Sequence, residues 1–253
     1  MGDSAPPDSD ELIERKDGEG IATLTLNRPH KRNALNIEMF AALDDYLGAI
    51  EREQETIGVV VLRANGEVFC AGVDLEDTMR APRRHFQAST ISRLSRLPQI
   101  VVAAVHGACV TGGLELVLAA DLIVARESAW FADTHGSFAL APGWGMSQRL
   151  PRRIGLAKAR EMMLTGRRCS ARAAEEIGLA DVCFPDANWE ADLSDYLARL
   201  REQSWHSLRA YKRLLQATDG MSLEAGLAYE AAHNPGPGPD FKRRMAARIR
   251  RPR

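Results

Sequence analysis

Apolar positions along this chain follow two periods in turn. Ala22, Leu24 and Leu26 recur every second residue, the spacing of a strand with one buried face. An earlier arm starts at Leu12, and Asp17-Gly18-Glu19-Gly20 lies between the two. Residues 12–26 therefore predict a β-hairpin, which Asn27-Arg28-Pro29 ends. Phe40, Leu43, Leu47 and Ile50 then follow the helical period. Asn36 stands at the start of that stripe with a side chain suited to capping, so a helix is expected from there to about Glu53. The runs GVVVLR at 58–63, IVVAAV at 100–105 and LIVA at 122–125, apolar but for Arg63, predict buried strands. Helical patterns between them argue for parallel pairing through right-handed crossovers. Further helices are expected at 155–164, 171–177, 192–202, 205–217 and 222–232. The first two-thirds thus reads as α/β and the last third as nearly all helix, with no solenoid-length repeat.

Composition narrows the class. The chain has 253 residues, 45% of them apolar and 26% charged, with a net charge of −1. These values fit a globular protein and give no reason to expect nucleic acid or a membrane surface as the main partner. Apolar runs are broken by charges well short of the roughly 18 residues of a membrane span. Residues 1–10 are polar and acidic, lack the pattern of a signal peptide, and are expected to be a disordered leader. Cys70, Cys109, Cys169 and Cys183 form no C-x-x-C pair, which argues against a zinc or disulfide framework and fits a reducing cytoplasm. The domain plan expected is a core at 11–190 and a helical region at 191–253. The latter ends in a basic tail of Lys242, Arg243, Arg244, Arg248, Arg250, Arg251 and Arg253. That tail reads first as a solvated last helix beyond the stiff 234–239 break, and second as a phosphate contact.

Candidate chemistry lies at two turns. The 100–105 strand runs into His106-Gly107-Ala108-Cys109-Val110-Thr111-Gly112-Gly113-Leu114-Glu115, a turn whose glycines open an apolar helix. The start of a helix presents free backbone N–H groups and favours negative charge. Glu115 lies three residues beyond Gly112. The second turn, GEVFCAGVDL at 66–75, follows the 58–63 strand, and Ala71-Gly72 permits a close backbone approach. If the two strands are neighbours, the N–H groups of Val73 and Gly112 face one crevice at the carboxyl ends of parallel strands. Two such donors make an oxyanion hole.

These turns, together with NRPHKRNAL at 27–35, FADTHGSFALAPGWGMSQRLPRRIG at 131–155 and LTGRRCSARAAEEIGLAD at 164–181, resemble the crotonase superfamily, also called the enoyl-CoA hydratase/isomerase family. The resemblance runs from about Leu12 to about Ala232. It implies an α/β fold, the ClpP/crotonase-like spiral of ββα turns with two near-perpendicular sheets and a C-terminal helical trimerisation region, assembled as a homotrimer or a dimer of trimers. It implies an acyl-CoA thioester as substrate, with its carbonyl oxygen between Val73 N and Gly112 N. Arg32, Ala34, Ala71, Asp74 and Leu75 would contact the CoA portion. CoA enters as part of the substrate, and no other cofactor and no metal is implied.

The resemblance also sets Glu115 where hydratases carry the first of two catalytic glutamates. The second is absent, and His135 stands at the matching position. A histidine titrates near pH 6.5 and can act as acid or base at neutral pH. Asp133 is a nearby carboxylate with no assigned direction. Thr111 replaces the first glycine of the usual triplet and is expected to cap the helix. His106 reads as structural, and Trp144 first as packing and second as bordering the acyl pocket. Tyr211 and Lys212 are expected first on an exposed helix face and second at the CoA phosphates. The function expected first is an enoyl-CoA hydratase with Glu115 as base and His135 as proton donor. The rivals are isomerisation, hydrolysis or decarboxylation on the same fold, and a catalytically silent protein binding a partner or RNA through the basic tail.

Overall fold

The structure is a computed structural model describing residues 11–78 and 85–249. The leader at 1–10 and the last basic residues, Arg250, Arg251 and Arg253, lie outside the described residues. Strand β1 (Ile13–Gly18) pairs antiparallel with β2 (Ile21–Leu26) across Glu19-Gly20. Both turn residues have positive φ, 52° and 82°, as a primed hairpin turn requires. Helix α1 (Ile37–Arg52) begins where the Asn36 side chain accepts a hydrogen bond from Met39 N, and it buries Phe40, Leu43, Leu47 and Ile50.

From there the chain winds a parallel sheet. Strands β3 (Val59–Ala64), β4 (Ile100–Val105), β6 (Leu122–Arg126) and β9 (Val182–Phe184) add to the hairpin in the order β1-β2-β3-β4-β6-β9. Each contact after the first is parallel. Both sheet faces are covered, which is why the strands read as continuous apolar runs. Val60, Leu62, Val101, Ala103, Ile123 and Ala125 join the main core with α1. Their neighbours Val59, Val61, Val102, Ala104 and Val124 face Trp189 and Leu193 on the opposite side. A second sheet has three short strands, β5 (Ala108–Val110), β7 (Trp130–Ala132) and β8 (Cys169–Ser170), in the order β5-β7-β8.

The helices between these strands are α2 (Leu75–Thr78), α3 (Phe86–Arg96), α4 (Gly112–Val117), α5 (Met146–Ile154), α6 (Leu156–Thr165) and α7 (Ala171–Glu176). Four more follow: α8 (Trp189–Arg201), α9 (Trp205–Ala217), α10 (Leu223–His233) and α11 (Phe241–Ile249). Helix α8 starts three residues before the expected 192 because Trp189 is itself buried against the sheet. Lys242, Arg243, Arg244 and Arg248 of the basic tail lie on α11, which buries none of its residues. All four cysteines are free and buried. No described helix is long and apolar enough to cross a membrane.

Candidate active site

Three loops are knitted together at the carboxyl ends of β3 and β4. Leu35 N donates to Gly72 O and Asp74 N to Leu35 O, tying the loop before α1 to the loop after β3. Cys70 N donates to Ala108 O and Val110 N to Cys70 O, tying that same loop to β5. Gly107 turns the chain out of β4 at φ 56°, and a Cβ there would fall 2.1 Å from Glu67 O. Only a residue without a side chain allows this crossing.

The knitting leaves Val73 N and Gly112 N side by side. A Cβ on Gly112 would stand 3.2 Å from Val73 N and 2.6 Å from the Trp144 ring. Strand-like pairing through Gly72 O and Asp74 N directs the Val73 amide away from Leu35, and Gly112 is the first residue of α4. Neither amide has an acceptor among the described residues. Two free donors so placed can hold an oxygen that gains negative charge. Thr111, just before them, has φ 52° and makes no capping hydrogen bond, contrary to expectation. Its hydroxyl sits 2.5 Å from the Thr134 hydroxyl and accepts from Thr134 N at 3.1 Å. The left-handed backbone turns the side chain from the helix end toward the 133–135 loop.

Glu115 lies one turn into α4 and is 1% exposed. Its Oε1 accepts from Trp144 N at 2.8 Å and Met146 N at 3.0 Å. The loop carrying those amides is held in turn by Arg149, which donates to Trp144 O at 2.8 Å. Glu115 Oε2 faces His135 Nε2 at 3.6 Å. The other ring nitrogen, His135 Nδ1, lies 2.6 Å from Asp133 Oδ1, and the same oxygen accepts from His135 N at 3.0 Å. Asp133 therefore points at the ring, a direction the sequence had left open. Burial disfavours the imidazolium, but the carboxylates of Asp133 and Glu115 outweigh it and hold His135 up at about 9. The cation's contribution to folding is whole below about pH 6.5 and is lost as pH rises through about 9.

A cavity of about 290 Å³ opens beside the paired amides. Ala34, Ala71, Val73, Asp74 and Leu75 line it, joined by Lys31, Thr111, Thr134 and Phe138. Among the described residues, Lys31 and not the expected Arg32 is the cation lining this cavity. Arg32 is exposed at a left-handed position, and its carbonyl accepts from Ala71 N. Asp74 is spoken for: Arg28 Nη1 lies 2.5 Å from its Oδ2 and holds the carboxyl below its usual range. Trp144 packs edge-on against Phe40, 4.9 Å between ring centres, and covers Gly112. His106 is structural, its Nε2 2.8 Å from Gly66 O.

Lys212 departs from expectation. It is 5% exposed, with Nζ 2.9 Å from Gln99 O and 2.7 Å from Asp121 Oδ2, while Tyr211 beside it is exposed. A signal was present: Lys212 stands four residues after Leu208, on the stripe that packs against the sheet.

The family described as enoyl-CoA hydratase/isomerase matches residues 16–236. The Bacillus subtilis (strain 168) protein YngF, an enoyl-CoA hydratase/isomerase by name, is 41% identical over 228 residues, 87% of each chain. The 1,2-epoxyphenylacetyl-CoA isomerase of Escherichia coli (strain K12) is 34% identical over 223 residues, 84% of each. The crystal structure of an enoyl-CoA hydratase from Bacillus anthracis superimposes with a TM-score of 0.81 at 32% identity, covering 88% of this chain and 89% of that one. Fold, motif order and sequence agree: the chain belongs to the enoyl-CoA hydratase/isomerase family of the crotonase superfamily and shares its fold.

Proposed function

We propose that this protein adds water across the 2,3-double bond of an enoyl-CoA thioester. One observation carries the reading: the buried Glu115 carboxyl and the His135 ring face each other at 3.6 Å beside two backbone amides without an acceptor among the described residues. The thioester oxygen accepts from Val73 N and Gly112 N, so charge developing there as C3 is attacked meets donors already in place. Glu115 takes a proton from water as its oxygen bonds to C3. His135 gives its Nε2 proton to C2 as the enolate collapses. Glu115 then passes its new proton to His135, which restores the starting charges and leaves one water added. Ala34, Ala71 and Leu75, with Lys31 at the rim, border the CoA portion. The reaction requires no metal or redox cofactor, and CoA enters only as part of the substrate.

Incubation with crotonyl-CoA in heavy-oxygen water tests the reading by mass spectrometry. The expected product is 3-hydroxybutyryl-CoA carrying one heavy oxygen. Crotonyl-CoA returned unchanged, while CoA thioesters still bind, overturns it.

A second reading on the same site is double-bond isomerisation, favoured by the imidazole where hydratases carry a second carboxylate. One carboxylate can shuttle a proton between C2 and C4 of an enolate held in the same hole. Conversion of a 3-enoyl-CoA to the 2-enoyl isomer, with no heavy oxygen gained, would select it.

We further infer self-association through the helical region, as a trimer or a pair of trimers. Leu215, Leu223 and Leu227 on α9 and α10 are exposed, as are Phe241, Met245 and Ile249 on α11. Apolar side chains clustered on terminal helices fit an interface. Four free, buried thiols fit a cytoplasmic setting.

A further inference from the structure

Where a second carboxylate is expected, this chain carries a buried pair, and the pair has its own geometry. Asp133 is 2% exposed and directly follows β7, whose pairing with β5 fixes the backbone leading into it. A single oxygen, Oδ1, meets both the backbone amide and the ring Nδ1 of His135. An aspartate that accepts from the amide two residues on closes a small side-chain turn, and here the turn brings the ring back onto the same oxygen. The residue between them is fixed as well, by Thr134 N donating to the Thr111 hydroxyl at the mouth of the amide pair. One ring nitrogen, Nδ1, is thus in contact with the Asp133 carboxylate. The remaining nitrogen, Nε2, is aimed at Glu115.

We infer that Asp133 is a positioning residue that locks the His135 ring through Nδ1–H, so that the proton available for transfer is the one on Nε2, facing Glu115. The inference rests on His135 being the proton donor of the proposed reaction. A neutral imidazole carries its one proton on either nitrogen, and the hydrogen bond made by one nitrogen decides the state of the other. With Asp133 as acceptor, Nδ1 keeps its proton whether the ring is charged or neutral. Every proton gained or lost by the ring then passes through Nε2.

The charged groups facing the ring are Asp133 from its own loop and Glu115 from α4. From α5, Arg149 acts on Glu115. Removing the charge of Asp133 should therefore weaken the imidazolium while Glu115 still faces it. Truncation for a purely structural reason would not have that signature.

The test combines histidine NMR with kinetics on the full chain. In the unaltered protein, the Nδ1 proton of His135 should give a slowly exchanging, downfield resonance that persists through deprotonation. The ring itself should titrate near 9. In Asp133→Asn the midpoint should fall by at least about one pH unit. The alkaline limb of kcat for crotonyl-CoA should move down with it. At its optimum, kcat should drop about tenfold to a hundredfold with KM nearly unchanged, part of the worth of a general acid. Adding Asp133→Asn to His135→Gln should cost nothing further, because Asp133 acts through the ring.

An unprotonated Nδ1 in the unaltered protein overturns the inference without any variant, so a poorly folding Asp133→Asn does not protect it. An unmoved midpoint in Asp133→Asn overturns it too, as does an equal loss in the His135→Gln background. If the unaltered protein hydrates no enoyl-CoA while the midpoint shift is seen, the proton-donor reading fails and the locking of the ring by Asp133 stands. Hydration with no midpoint shift removes the lock and leaves the proposed reaction intact.

Discussion

At the scale of single residues, the site is a set of paired groups whose partners differ in how far away they lie along the chain. Glu115 shows what such pairing does. Its Oε1 is saturated by Trp144 N and Met146 N, which leaves Oε2 facing His135. Glu115→Gln keeps the size but offers an NH2 where a proton acceptor is needed. Turnover of crotonyl-CoA should fall by at least about a hundredfold, the scale of a lost general base, with thioester binding little changed. Steady-state kinetics alongside calorimetric titration with a saturated acyl-CoA would check it, and a rate near that of the unaltered protein would reduce Glu115 to a helix-end residue. Glu115 and His135 could both be placed from sequence, because each sits at a fixed count from a motif. The direction of Asp133 could not. Two residues of separation permit either side of the loop, and the outcome depends on the turn that His135 N closes on Oδ1. The pattern D-x-H, read as a side-chain turn, was the available signal. Thr111 misled for a related reason: a threonine before a helix ordinarily caps it, but this one is held at φ 52° with its hydroxyl bonded elsewhere.

At the scale of elements, periodicity located the hairpin, β3, β4, β6, α1, α6 and α7, since both faces of the sheet are covered and α1 has a single buried stripe, but it gave no bounds for α3, for α5 or for the three-residue edge strand β9. The short strands of the second sheet escaped it. β5 and β7 have three residues each and β8 has two, too few to display a period. They matter nonetheless, because β5 carries the chain from the end of β4 to Thr111 and Gly112. The junction between β4 and β5 is the tightest point. Gly107 has φ 56°, and any Cβ there meets the carbonyl of Glu67, which belongs to backbone and cannot rotate aside. Gly107→Ala should destabilise the fold by at least about 1–3 kcal/mol, the range of enforced backbone strain, as read by urea unfolding. Because the displaced segment feeds the Gly112 amide, activity should fall further than the lost population of folded protein explains. A variant as stable and as active as the parent would mean the crossing tolerates a side chain.

For the molecule as a whole, the question is how the helical region is attached to the α/β core. Apolar packing supplies part of the contact through Leu208 and the side chains of α8. Arg209 donates to Gln54 O and Gln216 to Ser95 O, and the buried polar connection is Lys212. Its Nζ reaches Asp121, at the turn between α4 and β6, and the carbonyl of Gln99, just before β4. Asp121 Oδ2 also accepts from Val101 N, the second residue of β4. One ammonium thus ties α9 to the strand whose far end leads through β5 to the Gly112 amide. Burial pushes the Asp121 carboxyl up and the Lys212 ammonium down, and each partner's charge opposes the shift of the other. Such a pair contributes little against a well-packed apolar replacement, yet breaking it from one side is costly because the other charge stays behind. Lys212→Met should therefore lower stability by about 3 kcal/mol, toward the lower end for a buried pair since Asp121 keeps some contact with water. Adding Asp121→Asn should recover part of that loss, and denaturant titration of the two single variants and the double would give the coupling. Strict additivity would show that the two side chains do not depend on each other. Loss of stability with full turnover per folded molecule would separate the attachment of the helices from the chemistry, as the distance between Lys212 at the amino-terminal end of β4 and Gly112 beyond its carboxyl-terminal end implies.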